Sequence, residues 1–231
     1  MLTEPFGAVF LTTAASTLHV EHACTLLVGL EADVRSGRAR GRAILVPPGT
    51  AYAASSPGAT VTYSFDPELC PRIAGFARSQ GTRGLDGALG TLIVETVRAH
   101  AAELTASESL RGVGGELATR LALGAGVRID RRIARLLEEL RDPIVDRRAA
   151  LARTKLSAAH VQDLFARDIG TPIRTYALWR RLLHGLARVG PLDLTAAAHA
   201  AGFADLAHFS RTCRRMLGYA PSELQRRLVT R

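Results

Sequence analysis

From Asp130 onward the chain is a succession of short helical runs, each opened by a capping residue and closed by Gly or Pro. Asp130 precedes RRIARLLEELR, which stops at Asp142-Pro143; Asp146 precedes RRAALAR; Ser157 precedes AAHVQDLFARD, which ends at Gly170. Pro172 suits the first turn of IRTYALWRRLLHGLARV, which runs to Gly190-Pro191. Asp193 precedes LTAAAHAA, ended by Gly202; Asp205 precedes LAHFSRTCRRML, ended by Gly218; Pro221 opens SELQRRLV. An oxygen-bearing side chain at the N-cap satisfies free backbone amides, and Gly takes the left-handed position that ends a helix. Seven short helices in roughly 100 residues, with brief connections, predict an all-α domain.

Two of these segments repeat one pattern. Arg147–Gly170 and Asp193–Gly218 each read as a short Ala-rich helix, a tight turn, and a capped second helix with an internal Phe and a terminal Gly. Two helices joined by a turn of three or four residues form a helix-turn-helix. The first helix of each pair must cross close over the second, so Ala152 and Ala198 are expected at the contact. In the second unit Leu206, Phe209, Cys213 and Leu217 fall on one apolar stripe, which leaves His208, Arg211, Arg214 and Arg215 around the open side. Phe165, Phe209, Trp179 and Cys213 are expected in the core.

The charge is placed unevenly. Residues 1–128 hold eleven Arg and eleven acids, whereas residues 129–231 hold eighteen Arg and one Lys against ten acids, so the whole excess of +9 lies in the second part. A neutral part followed by a basic one predicts two domains with different partners, and a basic domain attracts polyanions, nucleic acid foremost. Cys24, Cys70 and Cys213 form no CxxC pair and no zinc-finger spacing, which fits reduced thiols in a cytoplasmic protein. No secretory signal and no membrane span of about 18 apolar residues is read.

The amino-terminal part reads differently. FGAVFLTT, STLHV, TLLVGL, RAILVP and ATVTYSF are short, β-branched or aromatic, and separated by VPPGT and SSPGA. They predict a small antiparallel barrel or sandwich. Helices follow at PELCPRIAGFARS and at Asp86–Leu104, the second a candidate dimer surface or a lid on its own barrel. Gly112, Gly114, Gly115, Gly124 and Gly126 mark the boundary. The expected domains are residues 1–104, a linker over 105–128, and residues 129–231, an α+β organisation overall.

The segment GFADLAHFSRTCRRMLGYAPSEL, with Leu156-Ser157, Leu164-Phe165, Gly170, Pro172, Tyr176 and Arg181-Leu182, resembles the AraC-type transcriptional regulators over about residues 130–228. Asp163 departs from the Arg or polar donor usual there, Cys213 from a core Phe, and Gly185 from a helical Ala, at about 1 kcal/mol in a helix interior. The turn at Arg153–Lys155 and the connection 188–192 are slightly short for the family. The resemblance implies two reader helices in successive major grooves, joined by a helix from Pro172 to Val189 about 27 Å long. On the first reader, Ala159, Gln162 and Asp163 face outward as base-reading candidates; on the second, Leu206, Ala207 and Arg211 do. Gln suits adenine, a carboxylate suits cytosine N4, Arg suits guanine, and small apolar side chains suit thymine methyls. Arg174, Arg180, His208, Arg214 and Arg215 are the phosphate candidates.

GRAILVPPGTAYA, HACTLLVGLEADV and TYSFDPEL are similar to the cupin-like sensing domain of the same family, which implies effector binding or dimerisation. His22, Cys24, Tyr52 and Tyr63 are its candidate pocket residues. His19 and His22 are separated by two residues, so in a strand they point to opposite faces, and Tyr52 stands where a cupin ligand imidazole would. No metal and no other cofactor is expected. The expected function is a sequence-specific DNA-binding regulator, not an enzyme, under a small-molecule effector. Its partners would be double-stranded DNA, RNA polymerase if it activates, and a second copy if it dimerises. A cupin-type metal enzyme with a DNA module, and a sequence-blind architectural binder, remain the alternatives.

Overall fold

The computed structural model describes residues 7–13, 15–99, 116–117, 119, 128–142 and 145–224. The expected linker therefore lies almost wholly outside the described residues, as do the ends of the helices expected at Asp86–Leu104 and after Pro221.

The amino-terminal part is antiparallel β. Strands β1 (Gly7–Thr12), β3 (Cys24–Gly29), β6 (Ala43–Val46), β8 (Thr60–Phe65) and β9 (Arg83–Gly84) form one sheet in the order β1-β8-β3-β6-β9. Two ribbons accompany it: β2 (His19–Val20) with β7 (Ala51–Tyr52), and β4 (Val34–Ser36) with β5 (Ala39–Gly41). All six residues of β3 are buried, because both faces of the sheet are covered. Leu26 and Val28 face a core closed by helices α1 (Pro71–Gln80) and α2 (Gly87–Ala99), while Leu27 faces Val34, Ile44 and Tyr52. The apolar face of α2 (Ile93, Val94 and Val97) packs on its own barrel.

The second part is helical: α3 (Arg131–Leu140), α4 (Arg147–Arg153), α5 (Ala158–Ile169), α6 (Ile173–Leu186), α7 (Leu194–Ala200) and α8 (Leu206–Leu217). Each expected cap forms. Asp130, Asp146, Ser157, Asp193 and Asp205 accept from amides of their own first turns, and Gly170 and Gly218 end α5 and α8 in the left-handed conformation. The turn of the second unit uses Gly202 at φ 75°, whereas the first uses Lys155 at φ 55°, which is how so short a connection closes.

Helix α6 joins the units by serving two cores. Ile173 and Tyr176 pack with Val161, Phe165 and Ile133 of the first unit; Trp179, Leu182 and Leu186 pack with Phe209, Cys213 and Leu217 of the second. Ala198 is buried as expected, but Ala152 is exposed and Ala150 takes the contact instead. Cys213 is fully buried, and burial raises its thiol pKa, so it behaves as a small apolar side chain.

Gly185 has a packing reason. A Cβ there would lie 2.9 Å from Cε2 of Phe209 and 3.1 Å from Cβ of Ala201. Gly185→Ala gains roughly 1 kcal/mol of helix propensity but overpacks the joint between α6 and α8 at about 1–3 kcal/mol. Chemical denaturation is expected to find the variant less stable than the parent, with part of the loss restored by adding Phe209→Leu.

Candidate nucleic-acid interface and its hold on the barrel

The two second helices of the repeated units, α5 and α8, bury one face and open the other. In α5 Val161, Leu164, Phe165 and Ile169 point inward, and Ala158, Ala159, Gln162, Asp163 and Arg167 are exposed. In α8 Phe209, Cys213, Met216 and Leu217 point inward, while Ala207, Arg211, Arg214 and Arg215 are exposed. Leu206 is half-buried against the second core, and half-buried His208 stacks edge-on to Phe203 at 5.2 Å. Arg174 is exposed on α6. Of the candidates read from sequence, Ala159, Gln162 and Asp163 thus lie on the open face of α5, and Ala207, Arg211, Arg214 and Arg215 on that of α8. Arg180, half-buried on α6, lies 3.7 Å from Oδ2 of Asp66.

Both reader helices are held by their carboxyl ends. Arg78 of α1 donates through Nη1 to the carbonyl of Ile169 at 3.0 Å, beside the Gly170 cap. Thr17 donates through Oγ1 to the carbonyl of Gly218 at 2.9 Å. Gly218 also sits so close to the barrel that a Cβ would meet Nδ1 of His19 at 2.8 Å. The last carbonyls of a helix lack intrahelical donors and carry its negative dipole end, so they suit external donors and the Arg78 cation.

Between these anchors lies a buried polar cluster. Trp179 Nε1 of α6 donates to Asp66 Oδ1 at 2.7 Å across 113 residues of chain. His22 Nδ1 meets Thr171 Oγ1 at 2.6 Å, and His22 Nε2 meets Glu68 Oε2 at 3.2 Å. Burial, reinforced by the charge of Glu68, pushes the Asp66 carboxyl up to about 7. Burial also resists ionisation of Glu68, but its hydrogen bond and charge pairing with His22 outweigh this and hold it below its ordinary value. His22, Asp66 and Glu68 bring one nitrogen and two carboxylate groups within 4.8 Å, the set that could hold a cation among the described residues. Here Arg180, Trp179 and His22 answer those carboxylates. This cluster differs from the His19, Glu21 and His22 grouping visible in the sequence; only the acids of FDPEL hinted at it.

A narrow cleft of about 30 Å³, partly open to solvent, runs between the barrel and the end of α8. Glu21, His19 and Tyr52 line it from the barrel, and Leu217 and Tyr219 from the helical part. Of the four expected pocket residues only Tyr52 lines this cleft. His22 faces α6, and Cys24 and Tyr63 are sealed in the core beneath α1 and α2, as alternation along β3 and β8 requires.

Three comparisons bear on this arrangement. Residues 151–227 match the family model described as a helix-turn-helix domain. Among solved structures, ToxT from Vibrio cholerae O395 is similar with a TM-score of 0.58 at 12% identity, over 96% of this chain and 97% of that one. ToxT bound to (E)-4-(8-methylnaphthalen-1-yl)but-3-enoic acid gives 0.57 at 10% identity, over 96% and 98%. Unsaturated fatty acid-bound ToxT from Vibrio cholerae strain SCE256 gives 0.57 at 10% identity, over 96% and 94%. Curated proteins provide no match. The family match covers both helix-turn-helix second helices, and the likeness to ToxT extends over the fold of the whole α+β chain.

The cluster makes the joint pH-sensitive with a definite sign. Asp66, with its folded pKa raised to about 7, contributes stability that is full below its unfolded value and lost as pH rises through 7. Glu68, depressed, contributes stability present above its unfolded value and lost as pH falls through its folded one. The thermal midpoint is therefore expected to be higher near about pH 5.5 than near about pH 8, and Asp66→Asn to shrink that difference. An unchanged slope in the variant would remove Asp66 from the account.

Proposed function

We propose that this chain, with its helix-turn-helix domain and a fold it shares with ToxT, is an AraC-type transcriptional regulator that reads duplex DNA with α5 and α8 under control of an effector in the barrel. One observation carries the reading. Both helices expose their amino-terminal halves while their carboxyl ends are gripped by the barrel. Base edges are read by the first turns of such helices, and their positive dipole ends favour phosphate. The grip lies at the opposite ends and leaves the reading faces open.

The domains are residues 1–104 for sensing, 105–128 as linker and 129–231 for DNA. Helix α6 has 14 residues, hence about 21 Å, shorter than the ~27 Å expected from sequence. Readers held closer than the ~34 Å of one DNA turn require the operator to bend, at a cost of a few kcal/mol. In α8 Arg211 reads a base, with Ala207 and the half-buried Leu206 beside it; in α5 Ala159, Gln162 and Asp163 take that role. Arg174, Arg214, Arg215 and His208 hold phosphates. RNA polymerase is the further partner if the chain activates, and pairing of two chains would multiply the grooves engaged. The protein acts by binding rather than catalysis, in the cytoplasm. Among the described residues no helix is long and apolar enough to cross a membrane.

The structures of ToxT include complexes with a fatty acid and with a butenoic acid. A small molecule in the cleft between barrel and α8 would act here in a corresponding way, because it touches a reader helix directly. Effector coupling then runs through the interface itself, at about 1–3 kcal/mol, and not through the linker alone.

Mobility-shift titrations on an operator selected from random duplexes, against bulk DNA at matched salt, test this. Arg211→Ala is expected to lose about 1–3 kcal/mol on the operator and little on bulk DNA, and Arg215→Ala to weaken both alike. Equal loss on both for Arg211→Ala would remove its reading role. No operator preference in the parent would favour the sequence-blind alternative.

A further inference from the structure

His22, Asp66 and Glu68 bring three metal-ligating groups together under cover. One ligand atom of each lies within 4.8 Å of the others. His22 and Asp66 are fully buried, and the Glu68 side chain is 4% exposed. FDPEL carries both acids just past β8, and His22 meets them from the connection between β2 and β3. His22 Nε2 and Glu68 Oε2 are 3.2 Å apart. Two ligands at about 2.0–2.1 Å from one tetrahedral ion stand roughly 3.3 Å apart, so this pair already has the spacing of a shared ion.

A second, independent observation points to a cation. Asp66 Oδ1 is fixed by Trp179 Nε1 at 2.7 Å, whereas the buried Oδ2 has no hydrogen-bond partner among the described residues. Arg180 Nη1 stands 3.7 Å from it, too far for a hydrogen bond, and its side chain is 26% exposed, so the guanidinium can turn to solvent. An unmatched buried carboxylate oxygen is costly. Two neighbouring carboxylates also repel one another, and a divalent ion between them reverses that interaction.

The imidazole is set for the same task. His22 Nδ1 lies 2.6 Å from Thr171 Oγ1. A ligating histidine characteristically donates its other ring N–H to an oxygen, which fixes its tautomer and orientation. With Nδ1 donating to Thr171, the lone pair stays on Nε2, the nitrogen beside Glu68. One imidazole and two carboxylates suit zinc and its first-row neighbours; Mg²⁺ and Ca²⁺ favour all-oxygen shells, and copper(I) favours sulfur.

We propose that the joint between barrel and helices binds one divalent transition-metal ion of the zinc type through His22 Nε2, Asp66 Oδ2 and Glu68 Oε2, with solvent completing the shell. All three ligands belong to the barrel. Thr171, Trp179 and Arg180, which adjoin them, belong to α6 and the turn before it. An ion seated here takes Oδ2 from Arg180 and bears on the joint that ties down α5 and α8. The site is separate from the cleft, and its occupancy does not rest on the DNA reading.

Trp179 is the one tryptophan of the chain and touches Asp66, so its fluorescence reports the site directly. Titration of the full, chelator-treated chain with Zn²⁺ is expected to give a saturable change complete at one equivalent. Co²⁺ is expected to quench the same signal, and Mg²⁺ at equal concentration to leave it unchanged. His22→Gln and Glu68→Gln are each expected to raise the Zn²⁺ dissociation constant at least about tenfold, with circular dichroism verifying their fold. Cys70→Ser, which removes a neighbouring thiol, is expected to leave it unaltered. The visible spectrum of the Co²⁺-loaded parent needs no variant: bound cobalt without a thiolate band supports the site, and a thiolate band overturns it. No saturable Zn²⁺ signal, or equal affinity in parent and Glu68→Gln, also overturns the inference. Operator affinity is read separately, and metal binding that leaves it unchanged supports the site while removing any regulatory role for the ion.

Discussion

The structure turns on two backbone carbonyls. Those of Ile169 and Gly218 end the two reader helices, and each accepts a hydrogen bond from the barrel, one from Arg78 and one from Thr17. A helix end is a place where the backbone has unmet acceptors, so it can be bound without any sacrifice of the helix itself. It is also the end opposite the first turns that the proposed reading sets against the bases. On that reading the barrel fixes how α5 and α8 stand to one another without covering their outward faces. A grip on their amino ends would have blocked the site; a grip on α6 alone would have left α5 and α8 free to pivot about their cores.

The polar cluster between the anchors sets the register of this contact. Asp66, Glu68 and His22 on the barrel meet Trp179, Arg180 and Thr171 on the helices. Replacing such a cluster by apolar side chains of similar shape often stabilises a protein, so its stabilising value is small. Its geometric demands are large: Trp179 must meet Asp66 and Thr171 must meet His22 across the joint, while Asp66 Oδ2 and Arg180 Nε are left without a hydrogen bond among the described residues. Ala23 of the barrel completes the fit by entering the core of the second helical unit.

Local chemistry was legible in the sequence and long-range chemistry was not. The five side-chain caps and the two left-handed glycines are set by residues within a turn of each other, and each was read where it forms. The five principal strand segments were read from their β-branched and aromatic runs, whereas the two-residue strands β7 and β9 and the hairpin β4–β5 carry too little pattern to stand out. Ala152 was placed on the wrong face because a seven-residue helix covers only two turns and leaves its phase loosely defined. The approach of Arg180 to Asp66, 114 positions earlier, has no helical spacing that could show it. The cleft was missed for the same reason: Leu217 and Tyr219, which close it, come from the far end of the chain. Gly185 was read as a cost in helix propensity, and only the approach of Phe209 gives it a purpose.

The central claim is that the barrel fixes the mutual pose of α5 and α8. Spin labels on exposed Ala159 and Ala207, each changed to Cys in a Cys70→Ser background, report that pose by pulsed dipolar spectroscopy. The intact chain is predicted to give one narrow distance, and the combination of Arg78→Ala with Thr17→Val to shift or broaden it. An identical, equally narrow distribution in the combined variant would contradict the account, since the two readers would then be set by α6 alone.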